Sequence, residues 1–245
     1  MKAIILAAGE GTRLRPLTLS TPKVMLPIAG EPLLEYILGW LRFHDITEVA
    51  INLHHRPKAV MDWLGNGDRF GINVTYSVED VILGTAGALT RLRDFFDDTF
   101  VVIYGDMLTD LNIPSLLEFH QAKGALVTIV LIEVEDPSSY GIIEVDEEYR
   151  ILRFIEKPAP GTTSSKLANA GIYILQPEVI DYIPRDTFYD FGYDLFPALL
   201  SKGARLFGYA TTDSFLDTGT MDNYRHAERE ILEGKFSPKR ASFTK

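Results

Sequence analysis

The chain has no cysteine among its 245 residues, which excludes a disulfide framework and thiolate chemistry. It also lacks a basic excess. Its 24 Lys and Arg stand against 34 Asp and Glu, a formal charge of −10. That balance argues against a general nucleic-acid binder, because a phosphate backbone needs a basic face. No apolar run approaches the ~20 residues of a membrane helix. The N-terminus opens on a strand pattern rather than a charged-then-apolar leader. A cytoplasmic protein is therefore expected, with neither nucleic acid nor membrane as partner. Two common phosphate motifs are missing as well. A Walker A loop needs Gly-Lys-Ser/Thr, and there is none. The dinucleotide fingerprint needs a small residue three after Gly11, where the chain has Leu14.

What is present points to a phosphate-rich substrate of another kind. The apolar run KAIILAA reads as a buried first strand, and GEGTRLRPLTLSTPKVMLP follows it over residues 9–27. A glycine-rich turn after such a strand aims backbone N–H groups at phosphates. Arg13, Arg15 and Lys23 add positive charge at the same place.

Apolar runs alternate with helical periods, the pattern of a parallel sheet with crossover helices. Strands are expected at Lys2–Ala7, Glu48–Asn52, Asn73–Ser77, Phe100–Tyr104 and Leu126–Val134. Helices are expected at Leu33–Phe43, Pro57–Leu64, Ala86–Phe96 and Ile113–Lys123, with Leu33, Ile37, Leu38 and Leu41 as a core stripe. Trp40 and Trp63 read as packing in or beside the core. Further on, Tyr140–Val145 and Ile151–Ile155 read as an antiparallel pair joined by DEEYR. NAGIYIL and ARLFGYA add strands, with helices near Glu178–Ile183 and Leu195–Ser201. The adjacent His54 and His55 are poorly spaced for one metal and read as loop residues. APGTTSS at 159–165 reads as a mobile surface loop, and the last ten residues as a frayed tail.

The opening string, GxGTRLRPLTxxxPKxMLPxxGxPLLE, resembles the sugar-1-phosphate nucleotidylyltransferases, particularly the mannose-1-phosphate and heptose-1-phosphate guanylyltransferases. LGTAGAL at 83–89, YGDML at 104–108, YGIIE at 140–144, FIEKP at 154–158, NAGIYIL at 169–175 and FLDTGT at 215–220 follow in family order. The resemblance implies a single Rossmann-like three-layer α/β/α domain over residues 1–236, with a mixed, mainly parallel sheet. A nucleotide lobe would occupy about 1–131 and a sugar-phosphate lobe with antiparallel strands 132–236, leaving 237–245 as a polar tail. No hexapeptide repeat is present, so the β-helix of many relatives, with its acetyltransferase activity, is not expected. A homodimer would follow family habit.

The implied reaction joins a nucleoside triphosphate to a sugar 1-phosphate and releases pyrophosphate. The attacking oxygen is already anionic at neutral pH, so the protein must bring two anions together and neutralise developing charge rather than supply a base. By family position, Arg13 contacts the triphosphate and Lys23 the reacting phosphates. Asp106 and Asp217 hold Mg²⁺. Asp110 has the blander reading of a turn or cap residue. Two before Asp217 the family commonly has Trp, and this chain has Phe215. The nucleotide is expected near Leu6, Ala8, Gly9, Gly11 and Thr12, and near Glu79, Gly84 and Thr85. Gly141, Glu156, Lys157 and Asn169 are the expected sugar-phosphate contacts.

Relatives that use thymidine or uridine triphosphate commonly have Gln where this chain has Glu79. A carboxylate is acceptor-only, and guanine offers adjacent N1–H and N2–H₂ donors. GTP is therefore the expected nucleotide, and mannose 1-phosphate the expected sugar. A uridylyl- or thymidylyltransferase acting on glucose 1-phosphate or an amino-sugar phosphate is the alternative. A non-catalytic, regulatory sugar-nucleotide binder is a further one, although such proteins tend to lose the arginine, lysine or aspartates retained here.

Overall fold

The computed structural model describes residues 1–243. In chain order its first strands are β1 (Lys2–Leu6), β2 (Pro27–Ile28), β3 (Glu31–Pro32), β4 (Glu48–Leu53), β5 (Asn73–Val78) and β6 (Phe100–Tyr104). Then come β7 (Met107–Thr109), β8 (Val127–Glu133), β9 (Gly141–Val145), β10 (Ile151–Glu156), β11 (Leu167–Leu175), β12 (Leu206–Ala210) and β13 (Phe215–Asp217). The α-helices are α1 (Leu33–Phe43), α2 (Pro57–Leu64), α3 (Gly84–Gly87), α4 (Ile113–Lys123), α5 (Phe196–Ser201) and α6 (Met221–Leu232).

Two compact units are formed, and both are discontinuous. The first takes Met1–Ile82, Ile103–Leu111 and Asp213–Lys245; the second takes Leu83–Val102 and Asn112–Thr212. The division expected near residue 131 differs from this, because the chain leaves the first unit after Ile82 and returns for Ile103–Leu111. A further return at Asp213 brings the last segment back to the first unit.

In the first unit β1 and β4 pair in parallel, Ala3 opposite Val49 through Leu6 opposite Asn52. β4 and β5 also pair in parallel, from Glu48 opposite Asn73 to Leu53 opposite Val78. The strands Lys2–Leu6 and Glu48–Leu53 are apolar and largely buried, as parallel strands covered on both faces must be. The α1 stripe Leu33, Ile37, Leu38 and Leu41 is buried as expected. Trp40 is buried with its indole N–H donating to the Leu111 carbonyl, while Trp63 is half-buried beneath the Arg69 guanidinium.

As far as Phe243 the expected frayed tail is instead docked on this unit; Thr244 and Lys245 lie outside the described residues. Phe236 is buried, the Ala241 N–H donates to the Gly39 carbonyl, and Arg240 pairs with Glu31 at 2.6 Å while covering the Tyr36 ring. Phe243 meets Phe70 edge-to-face. Two aromatic anchors and one arginine suffice to order a segment whose composition reads as polar.

In the second unit β8 pairs antiparallel with β11 and parallel with β12, and β9 pairs antiparallel with β10. The Asp146 carboxylate closes the β9–β10 turn by accepting from the Glu148 and Arg150 N–H groups. The expected helix Ala86–Phe96 is a short α-turn followed by a 3₁₀ run over Ala88–Phe95, with Leu92 off helical geometry at φ −112°. Pro177–Tyr182 is likewise 3₁₀, and a π-turn over Phe191–Leu195 precedes α5. The loop expected to be mobile is tied to β9, because Thr163 donates to Glu144 and Ser165 to the Ile143 carbonyl. Among the described residues no helix is long and apolar enough to cross a membrane.

Candidate active site

The first unit assembles a charged cluster from three distant segments. Gly11 opens the turn after β1 in the left-handed region, at φ +62°. Its own Cβ would fall 2.8 Å from Thr18 Cγ2, so glycine is required both for the turn and for the close packing of the loop. Thr18 Oγ1 donates back to the Gly11 carbonyl at 2.8 Å. Through this folded loop run Arg13, exposed in a short 3₁₀ turn, and Lys23, half-buried in another. The Arg15 guanidinium is exposed and pairs with Glu10 instead.

Asp106 follows β6, and Asp217 ends β13. The two meet because β7 and β13 pair antiparallel, with Phe215 opposite Thr109 and Asp217 opposite Met107. Thr218, wholly buried, then clamps Asp106 from the next position: its N–H and hydroxyl both donate to the Asp106 carbonyl, at 2.9 and 2.8 Å. Asp110 has the turn role expected of it, accepting from the Ser214 N–H.

The functional groups surround Gly219. A Cβ there would lie 2.8 Å from Asp217 Oδ1, 3.0 Å from Arg13 Nη2 and 3.5 Å from Asp106 Oδ2. Lys23 Nζ pairs directly with Asp106 Oδ2. Asp217 Oδ1 accepts from the Gly219 N–H, and Oδ2 accepts from Asn223 Nδ2 at 2.8 Å. Asn223 sits in the first turn of α6, capped by Thr220. Arg13, Lys23, Asp106 and Asp217 are thus brought together, Arg15 is not, and Asn223 was not foreseen.

Two carboxylates converging on one point suit Mg²⁺, which takes one or two carboxylates together with substrate phosphate oxygens. No group of three or more His, Cys, Asp or Glu residues among the described positions is arranged to hold a metal, so a cage made wholly of protein ligands does not fit.

The same unit carries a buried polar relay. Glu79 and Asn52 are each 2% exposed. Asn52 Nδ2 donates to Glu79 Oε1 at 2.9 Å, and Asn52 Oδ1 accepts from the Ala7 N–H at 2.8 Å. Asn52 therefore links Glu79 to the Leu6–Gly9 segment, a connection that sequence reading missed. Its one signal was a polar residue at the end of an otherwise apolar strand. His54 and His55 act as loop fasteners, with their rings on the Glu79 and Thr18 carbonyls.

Gly84, Thr85, Gly141, Glu156, Lys157 and Asn169 all belong to the second unit. Gly141 stands opposite Glu156 in the β9–β10 register. Its missing side chain is occupied from within, since a Cβ would meet Phe154 Cζ at 2.6 Å and Glu156 Oε2 at 2.7 Å. Burial pushes the Glu156 carboxyl above its ordinary range; Lys157 opposes this and the Asp190 charge adds to it. Lys157 is exposed at φ +46°. Asn169 is engaged locally, its Oδ1 accepting from the Gly171 N–H and its Nδ2 donating to the Tyr173 hydroxyl across a β11 bulge. Gly84 packs on Tyr189 at φ +78°, and the Thr85 hydroxyl donates to Asp190.

A protein-family model described as nucleotidyl transferase matches residues 2–234. The chain is 42% identical over 246 residues to a Synechocystis protein named UTP–glucose-1-phosphate uridylyltransferase, covering 95% of this chain and 63% of that one. It is 35% identical over 234 residues to a Mycobacterium tuberculosis protein named mannose-1-phosphate guanylyltransferase, covering 95% and 65%. The chain thus spans somewhat less than two-thirds of these curated relatives. Among solved structures, a candidate glucose-1-phosphate thymidylyltransferase from Bacillus anthracis, in complex with a sucrose, superposes with a TM-score of 0.86 at 29% identity. That match covers 100% of this chain and 98% of the other, and bears out the Rossmann-like α/β class with a mixed sheet. By its sequence and its fold, the chain belongs to the nucleotidyl transferase family.

Proposed function

We propose that the chain transfers a nucleotidyl group from a nucleoside triphosphate to a sugar 1-phosphate and releases pyrophosphate. One observation carries the reading: Arg13, Lys23, Asp106 and Asp217, far apart in sequence, converge around Gly219. Two cations beside two carboxylates suit an anionic substrate that arrives with a divalent ion, and suit neither hydride nor acyl transfer. A sugar-phosphate oxygen attacks the α-phosphorus and the pyrophosphate departs in line. Arg13 neutralises charge on the departing group. Lys23 exchanges its bond with Asp106 for a phosphate oxygen. Mg²⁺, held by Asp106 and Asp217, would supply charge neutralisation at the phosphates when bound. On the sugar side, Glu156 accepts hydrogen bonds from hydroxyls and Lys157 pairs with the phosphate.

GTP is the favoured nucleotide. Its support is the buried, acceptor-only Glu79, linked through Asn52 to the Leu6–Gly9 segment where the base would lie. Mannose 1-phosphate is the favoured acceptor. UTP with glucose 1-phosphate is the second reading, favoured by the 42% identity to the Synechocystis relative over the 35% to the mycobacterial one. Pyrophosphate release with Mg²⁺, across a grid of triphosphates and sugar 1-phosphates, separates them. Release with GTP and mannose 1-phosphate supports the first reading. Release with UTP and glucose 1-phosphate keeps the reaction and discards the role of Glu79, and silence across the grid refutes the transferase reading.

A further inference from the structure

Glu156 is gripped from two sides by glycine. A Cβ on Gly141 would lie 2.7 Å from Glu156 Oε2, and a Cβ on Gly192 would lie 2.9 Å from the same oxygen. Gly141 is fixed by strand pairing, but Gly192 is the second residue of the π-turn Phe191–Leu195, and something must hold that turn in place. Asp190 holds it. Its Oδ1 accepts from the Gly192 N–H at 2.9 Å and the Tyr193 N–H at 3.3 Å. Its carbonyl accepts from the Leu195 N–H, the i→i+5 bond that defines the turn. The Asp190 carboxylate is braced in turn by Thr85, whose hydroxyl donates to Oδ2 at 2.7 Å and accepts from the Phe191 N–H at 2.9 Å. The one hydroxyl proton of Thr85 is thereby used inside the protein.

We propose that Asp190, braced by Thr85, is a positioning residue that fixes Gly192 against Glu156 and so shapes the sugar-phosphate site. The inference rests on the reading of Glu156 given above. It reassigns Thr85 from a nucleotide contact to a strut between the LGTAG segment and the sugar side of the second unit. Asp190 also acts on Glu156 through charge. The charged groups bearing on that carboxyl are Asp190, from the π-turn, and Lys157, at the end of its own strand. The two glycines set against its carboxylate, Gly141 from β9 and Gly192 from the π-turn, bring no charge of their own.

Asp190→Asn keeps the N-cap acceptor at Oδ1, removes the charge and turns the acceptor that faces Thr85 into an amide donor. Thr85→Val removes the strut, and Thr85→Ser restores its hydroxyl. The first readout is an NMR titration of the Glu156 carboxyl in the ligand-free protein, which needs no turnover. Glu156 should titrate at lower pH in Asp190→Asn than in the wild type. An unchanged midpoint overturns the proposal. The second readout is the split of Michaelis constants. Thr85→Val should raise KM for the sugar 1-phosphate about tenfold, with KM for the triphosphate within about twofold, and Thr85→Ser should recover most of the loss. Equal increases in both constants, or a failure of Thr85→Ser to recover, overturn it as well. A wild-type protein that turns over no substrate pair refutes the transferase reading alone, because the Glu156 titration still decides whether Asp190 acts on that carboxyl.

Discussion

His120 makes a prediction that depends on no assumption about activity. It is wholly buried on α4. Its Nε2 lies 2.9 Å from Gln176 Nε2, and its Nδ1 lies 2.9 Å from Thr128 Oγ1. Thr99 Oγ1 donates to Gln176 Oε1, which sets the amide so that its nitrogen faces the imidazole. The ring therefore accepts at Nε2 and carries its proton on Nδ1. A second proton would press N–H against N–H at a buried position. Burial accordingly lowers the His120 pKa from 6.5 to about 4. The folded value lies below the unfolded one, so the unfolded chain takes up a proton that the native state refuses. The neutral ring's contribution is fully present above pH 6.5 and is lost as pH falls from there towards 4. The full linkage is about 3 kcal/mol, of which about 2 kcal/mol disappears between pH 7 and pH 5. Urea unfolding followed by far-ultraviolet circular dichroism should show the wild type losing about 2 kcal/mol more than His120→Gln over that interval. Tryptophan emission is the wrong probe, since Trp40 and Trp63 both lie in the first unit and His120 in the second. His44, whose pKa burial also lowers, is common to both proteins and cancels. Equal losses in the two proteins, or an imidazole resonance of His120 titrating near pH 6.5, would refute the argument.

The candidate site supports further tests. Asp106→Asn and Asp217→Asn should each lower turnover by more than about a hundredfold while the circular dichroism and unfolding midpoint stay near wild type; near-normal rates in either would sink the metal assignment. Gly219→Ala puts a methyl 2.8 Å from Asp217 Oδ1 and 3.0 Å from Arg13 Nη2, so it should depress kcat more than stability. Asn52→Ala strips partners from the Ala7 N–H and from Glu79, and should cost about 1–3 kcal/mol in unfolding free energy together with a raised KM for the triphosphate. Because burial raises the Glu156 carboxyl, KM for the sugar 1-phosphate should climb as pH falls at a higher pH than an ordinary glutamate would produce, as pH-resolved kinetics would show.

The elements that sequence patterning located well are those whose burial is set by their own residues. The runs at Lys2–Leu6, Glu48–Leu53 and Phe100–Tyr104 are apolar almost throughout, and the α1 stripe repeats at helical spacing. Patterning failed where one segment depends on another. The Ala88–Phe95 run has a helical period, but Leu92 departs from helical geometry and the Thr90 hydroxyl is spent on the Gly87 carbonyl. The tail from Phe236 reads as polar, yet two aromatic contacts and the Arg240–Glu31 pair order it.

The same division runs through the site. Arg13, Lys23, Asp106 and Asp217 were legible because each stands inside a motif that carries its own chemistry. Asn52, Asn223 and Asp190 were not, and Thr85 was read only as a nucleotide contact, because each is engaged with a partner between 6 and 105 residues away. A polar side chain that orients another has no composition of its own to betray it, and its meaning appears only when the chain returns. The β7–β13 pair is the clearest instance. Three residues on each side, MLT and FLD, are too short to read as strands with any force, yet their register sets Asp217 beside Asp106. Thr218 completes the arrangement, with both of its donors on one Asp106 carbonyl. Buried donors must find acceptors, and these two find the backbone of the residue whose carboxylate the site needs held still. Asp106 is thus held through its backbone carbonyl, which leaves its carboxylate to Lys23 and to a cation in turn, while the Asp217 carboxylate is aimed by the Gly219 N–H and Asn223.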